Sequence, residues 1–257
     1  MSSETQNNQS QAPLVSHLIE LRNRLLKSVL AILLCFLALY AIANELYLAI
    51  SEPLRALLPE GSSLIATEVA SPFLAPLKLT FFVAVLISIP FTLYQVWSFI
   101  APALYKNEKK LAIPLLISSI FLFYGGVIFA YYVVLPLVFG FFTSVGPSEV
   151  TVMTDINNYL NFVLKLFFAF GVTFEIPIAT YLLIKAGVTT VASLSKKRPY
   201  IILGCFVMGM LITPPDIFSQ TLLAIPMWML FEVGLLAGRT VKVKEKDEEE
   251  SEETAKS

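Results

Sequence analysis

Few residues in this chain could do chemistry, and most of them sit inside apolar runs. Glu175 lies within FGVTFEIPIATYLLI (170–184), with apolar residues on either side. A carboxylate at that depth in a membrane helix costs about 2.5–3.5 kcal/mol, so it must face protein or water. Lys165 is an obvious partner by type. It fails on geometry, because a helix carries it about 15 Å away along the axis and about 80° round it. Lying within two turns of the start of its apolar run, Lys165 instead suits snorkelling to the interface. Two readings of Glu175 stand. It meets another helix, a water cavity or a proton, or it is protonated and bonded to a neighbouring backbone carbonyl.

Two further carboxylates, Glu20 and Glu108, occur in segments otherwise dominated by Arg and Lys. A carboxylate suits a guanidinium, whose planar fork gives two parallel charge-assisted bonds. Local pairing is the simpler reading of both on residue type alone: Glu20 with Arg24 at i,i+4, and Glu108 beside Lys106, Lys109 and Lys110. The third group is Thr213, Asp216, Ser219, Gln220 and Thr221, around Pro214-Pro215 between two apolar runs. Polar side chains there either bond across helices or belong to a plain turn.

Other chemistries are excluded. Cys35 and Cys205 lie in apolar runs without metal-ligand spacing and read as buried small hydrophobes. His17 is the only histidine, so a histidine metal cluster or a relay of several histidines is ruled out. There is no G-x-x-x-x-G-K-[ST] and no dinucleotide fingerprint, hence no expected cofactor and no nucleotide hydrolysis. No nucleophile–base constellation stands at membrane depth, so no enzyme activity is expected.

The elements that must position these residues are membrane spans. The 257 residues are 56% hydrophobic and 14% charged, against about a quarter charged in soluble domains. Residues 1–13 are Ser/Gln/Asn-rich and read as a disordered tail. Leu14, Leu18, Leu21 and Leu25 then recur at helical spacing, as in an amphipathic helix at the membrane surface. The first span is expected at 28–43. Its RNRLLK flank and Ala41-Ile42-Ala43 ending resemble a cleavable signal, but the long polar lead favours retention. A proline-rich loop (44–76) with short helices precedes a second span at 77–100, bent by Pro90, with Tyr94, Trp97 and Phe99 as an interfacial belt. The third span, 111–142, is overlong, about 48 Å as a helix, and Pro136 should bend its end. The fourth covers 159–184. A loop leads to a fifth of 14 residues (200–213) and a sixth at 218–236, forming a short hairpin. The membrane domain is thus 14–238. A charged disordered tail at 239–257 contains EKDEEESEE.

Charge placement orients the spans. The segment before span one, the loops two–three and four–five, and the segment after span six hold 3, 3, 4 and 5 Lys/Arg, which is 15 of 18. Basic alternate loops predict both termini in the cytoplasm.

The stretches HLIELRNRLLKS (17–28), ASPFLAPLKLTFF (70–82), LYQVWSFIAPALYKNEKK (93–110), FGVTFEIP (170–177), KKRPY (196–200) and MLITPPDIFSQTLLAIPM (210–227) resemble the TatC family of twin-arginine protein translocases. The resemblance runs in family order across the whole membrane core. It implies an all-α polytopic protein, six helices in a cupped, glove-like bundle with short helices five and six. It also implies a bacterial inner-membrane receptor for twin-arginine signal peptides of folded proteins. Such a receptor works with single-span TatA and TatB partners, self-associates in a larger complex, is driven by the proton-motive force and binds no nucleic acid. By the same resemblance Glu20, Arg22, Phe99 and Glu108 are signal-peptide positions, and Pro53, Glu175, Asp216 and Gln220 are partner-contact or intramembrane positions. The competing reading is a proton-coupled secondary transporter of a small solute using Glu175. That reading requires internal repeats and broken helices near the midplane.

Overall fold

A computed structural model of the chain describes residues 4–48, 63–104, 112–145, 153–213 and 216–240. The acidic run near the C-terminus lies outside them. Helices dominate because a backbone surrounded by lipid must satisfy its own N–H and C=O groups. Among the described residues, five helical segments are long and apolar enough to cross a membrane: His17–Tyr40, Ser71–Ile100, Ile113–Phe142, Ile156–Lys185 and Ile217–Gly238. A sixth apolar helix, Arg198–Ile212, is shorter.

The chain divides into two compact units, residues 1–171 and 172–257. The first opens with α1 (Glu4–Tyr40), one continuous helix that joins the amphipathic stretch to the first span. Its apolar side chains Leu18, Leu25, Leu30, Leu34 and Leu37 are exposed, as suits a surface that meets acyl chains. After strand β1 (Ser63–Ile65), α2 (Ser71–Leu104) returns antiparallel to α1. The pairings Phe36 with Phe81, Arg24 with Gln95 and His17 with Phe99 fix that direction.

The expected third span is three pieces. Helix α3 (Ala112–Phe129) passes through a π-helical turn, Ala130–Val134, into α4 (Leu135–Val145). Pro136 cannot donate to the carbonyl four residues back and crowds that turn. The wider turn relieves the clash, with the Leu135 N–H reaching Ala130 O. The irregularity therefore falls ahead of the proline.

Strand β2 (Met153–Asp155) leads directly into α5 (Ile156–Thr173) and pairs parallel with β1, Leu64 opposite Thr154. Among the described residues two three-residue strands thus interrupt the helices, and no sequence signal announces them. Asp155 fastens the pair: its Oδ2 accepts from the Thr67 hydroxyl at 2.6 Å and the Thr67 amide at 3.1 Å, and its Oδ1 accepts from the Asn158 amide at 2.9 Å. These bonds, that from the Thr67 hydroxyl foremost, lower the Asp155 carboxyl to about 2.

Helix α5 runs parallel to α2, Ser71 meeting Asn157 and Phe82 meeting Phe167, and antiparallel to the α3–α4 stretch, Phe129 meeting Phe170, Tyr131 meeting Phe167 and Phe139 meeting Tyr159. Gly171 permits close approach to α3, since a Cβ there would lie 2.7 Å from the Phe123 ring. Trp97, expected in an interfacial belt, is buried instead and donates to Ser119 Oγ at 3.1 Å.

In the second unit, α6 (Ile176–Lys185) begins at a break in the expected fourth span. Pro177 supplies the cause, favoured in a first helical turn and unable to continue the turn before it. The following loop contains an unforeseen helix, α7 (Val191–Lys196), capped by Thr190 Oγ1 accepting from the Ser193 amide. Then come α8 (Arg198–Ile212) and α9 (Ile217–Gly238). At 15 residues α8 is about 22 Å long, short of a hydrocarbon core of about 30 Å. Helix α9 extends beyond the expected 218–236 at both ends. It packs on α6 through Gly234 and Gly238, spaced like the small residues of close membrane-helix contacts. Arg198 clamps α8 to α9 by a two-pronged pair with Glu232, both bonds 2.7 Å.

Candidate recognition site on the facing sides of α1 and α2

On α1, His17, Glu20 and Arg24 fall at i, i+3 and i+7, one face of a helix. Gln95 and Phe99 fall at i and i+4 on α2. The antiparallel packing of the two helices brings these faces together. The His17 imidazole stacks on the Phe99 ring at a centroid distance of 4.3 Å and 18° between planes. Arg24 donates to Glu20 Oε1 from Nε at 2.9 Å and from Nη2 at 2.7 Å. Its third prong, Nη1, reaches Gln95 Oε1 at 3.5 Å, and Gln95 is buried. Ser28 Oγ donates to the Arg24 carbonyl at 3.1 Å.

The local pairing read from the sequence is therefore formed, with a non-local addition. Both Arg24 bonds to Glu20 fall on one oxygen, and the Glu20 side chain stays 42% exposed. A carboxylate beside stacked flat rings has the chemistry to hold a guanidinium, pairing with its edge and stacking on its face. Arg22 does not join this group. Two residues from Glu20 on the helix, it points elsewhere, is exposed, and donates to Asn23 Oδ1 at 3.4 Å. Glu108 and Pro53 lie outside the described residues.

Glu175 stands at the break between α5 and α6, half-buried. Its amide donates to Val172 O at 3.0 Å and its carbonyl accepts from Ala179 N at 2.9 Å. The broken helix that a transporter reading requires is thus present here, with a local cause in Pro177. Lys165 is exposed, as snorkelling suggests. Asp216 caps α9, its Oδ1 accepting from the Ser219 amide at 2.7 Å, which is the turn role open to it in the sequence. Gln220 lies against Gly209 of α8, and Thr213 Oγ1 donates to the Gly209 carbonyl at 3.0 Å. Gln95, Ser28 and the stacking role of His17 escaped the sequence reading. Each depends on α1 and α2 aligning, although the repeat of 17, 20, 24 and 28 on one face was visible. No group of three or more His, Cys, Asp or Glu able to hold a metal occurs among the described residues.

The arrangement can be set beside known proteins. The family model for the Sec-independent protein translocase protein TatC matches residues 16–226. The chain is 60% identical to a Sec-independent protein translocase protein TatC from Azotobacter chroococcum, over 91% of each chain. It is 56% identical to that of Escherichia coli (strain K12), over 93% of this chain and 92% of the relative. A crystal structure of the twin-arginine translocase receptor TatC superposes with a TM-score of 0.80 at 39% identity, covering 88% of this chain and 100% of the other. With its core matched in sequence and fold alike, the chain belongs to the TatC family of Sec-independent protein translocases, non-enzymatic membrane proteins.

Proposed function

We propose that this protein is the receptor subunit of a twin-arginine translocase in a bacterial inner membrane. It crosses the membrane six times, with α8 as the short fifth span and both termini cytoplasmic. The Lys/Arg distribution supports that orientation. The one observation that carries the receptor reading is the exposed Glu20 carboxylate beside the His17–Phe99 stack, already holding a guanidinium. A signal peptide's paired arginines present the same chemistry twice, and Glu108 is the second carboxylate on that side. Arg22 acts in the same region through the peptide backbone or the lipid surface. Pro53, Glu175, Asp216 and Gln220 belong to contacts with the single-span TatA and TatB partners or a second copy of the chain. Translocation of the folded cargo draws on the proton-motive force. The domain layout is a membrane domain at 14–238 between two polar tails.

Site-specific crosslinking of a twin-arginine precursor to the full-length protein in membranes tests this. Glu20→Ala and Glu108→Ala should each weaken crosslinking while membrane insertion stays intact. Undiminished crosslinking in the double variant would overturn the assignment.

A further inference from the structure

At the end of α2 remote from Glu20, a second polar cluster is unused by peptide recognition. The Lys78 ammonium lies 3.4 Å from Asn157 Oδ1 and 3.4 Å from Asn161 Oδ1, both on α5. Asn157 is buried, and its Nδ2 donates to Ser71 Oγ, itself fully buried at the start of α2. That bond turns the Asn157 amide oxygen toward the lysine. Ammonium and amides are thus held in place by the pairing of two helices, not left to a loose surface side chain. Among the described residues no carboxylate pairs with Lys78, whose partners there are the two neutral amides.

Depth says what could supply a counterion. The Ser71–Ile100 segment holds 30 residues, about 45 Å of helix, which overhangs a hydrocarbon core of about 30 Å by roughly 7 Å at each end. Lys78, about 10 Å from the helix start, is rooted just inside the apolar layer. Its side chain leans toward the helix N-terminus, which carries the ammonium back to headgroup level. One turn to either side on the same face, Leu74 and Phe81 are exposed. A cation at headgroup depth flanked by exposed apolar side chains has the polarity profile of a phospholipid.

We propose that Lys78 binds the phosphate of a phospholipid headgroup, Asn157 and Asn161 orienting the ammonium and the Asn161 amide N–H adding a second donor. The exposed Leu74 and Phe81 then lie along the acyl chains. This site is independent of the peptide site on α1 and α2.

Native mass spectrometry of the full-length protein released from detergent, titrated with phosphatidylglycerol, tests the proposal. Lys78→Gln should bind the first lipid about fivefold more weakly, the effect of one basic charge at a membrane surface. Lys78→Arg should keep binding, and Asn161→Ala should weaken it with the cation intact, which guards against a fold defect in Lys78→Gln. Lys165→Gln removes an equal charge from an exposed lysine and should change little. Equal loss in Lys78→Gln and Lys165→Gln, or none in either, would overturn the site. So would displacement of the lipid by millimolar inorganic phosphate, which would make it a site for the free anion. Unchanged lipid binding with loss of a co-purifying membrane protein would assign the ammonium to a partner's carboxylate and overturn the lipid reading.

Discussion

Arg24 holds Glu20 through two nitrogens on one carboxylate oxygen, at 2.7 and 2.9 Å, while its remaining nitrogen touches Gln95 at 3.5 Å. Under the proposed receptor function, the pair places a guanidinium of the protein where a guanidinium of a ligand would bind. A peptide arginine must therefore displace Arg24 or share Glu20 with it. A partly exposed i,i+4 pair of this kind stabilises by only about 0.2–1 kcal/mol, so the contact competes with a ligand without blocking it. Arg24→Gln should raise affinity for a fluorescent twin-arginine peptide by up to about fivefold in a titration of the solubilised protein. Lowered affinity would instead make Arg24 a ligand-binding or positioning residue.

The stack of His17 on Phe99 gives a second test of the same face. The two rings stack at 4.3 Å, and His17 lies one helical turn from Glu20 on the same face of α1. Phe99→Ala removes the platform under His17 and should weaken peptide binding roughly tenfold, the order expected when an aromatic contact of about 1–1.5 kcal/mol is lost. Phe99→Tyr keeps the platform and should bind within about twofold of the parent. Equal losses in both variants would show that the ring's edge matters and its face does not.

How much of this could be read from the residues depends on how local each cause is. Hydropathy alone located the apolar segments, because lipid imposes a helix on any run that long. Hydropathy hides the break before Pro177, because FGVTFEIP stays apolar across it, although the proline that causes it stands in the sequence. Pro136 signals a bend and not its form: a π turn shifts the disturbance upstream to Ala130–Val134. A Trp near a span's end suits an interface, yet the Trp97 N–H finds Ser119 on the next helix, a partner that only packing supplies. At the site, Glu20–Arg24 was legible as a four-residue spacing. Gln95, 71 residues from Arg24, becomes a neighbour only through packing.

Asp155 predicts an acid limit for the loop pairing. Its carboxyl titrates at about 2 in the fold against an ordinary 3.8. A lowered folded value means that its contribution to stability is present above about pH 4 and is lost as the pH falls toward 2. Amide exchange at Thr67 should lose protection across that window, and Asp155→Asn should show weakened protection already at neutral pH without a further acid step. An acid step that persists in Asp155→Asn would assign it to another carboxylate.

The glycines of α9 and α8 give a graded stability series. A Cβ at Gly234 would lie 2.9 Å from both the Pro177 Cα and the Thr180 Cβ, so backbone must move. At Gly238 the nearest atom is Ile184 Cδ1, the far end of a flexible side chain, though Ile184 is buried. At Gly204 of α8 nothing lies within 4 Å. Overpacking in a filled interface costs about 1–3 kcal/mol, while alanine gains about 0.5–1 kcal/mol over glycine in a helix interior. Thermal unfolding in detergent should therefore rank Gly234→Ala as the most destabilised, Gly238→Ala as intermediate, and Gly204→Ala as unchanged or more stable. Pro177 ties this series to function, because it both contacts Gly234 and starts α6 beside Glu175. If α9 is pushed off α6, the Glu175 joint should loosen with it, so export of a twin-arginine substrate should fall in Gly234→Ala and hold in Gly204→Ala. Full export in Gly234→Ala despite a lowered unfolding temperature would separate the α6–α9 packing from whatever Glu175 does.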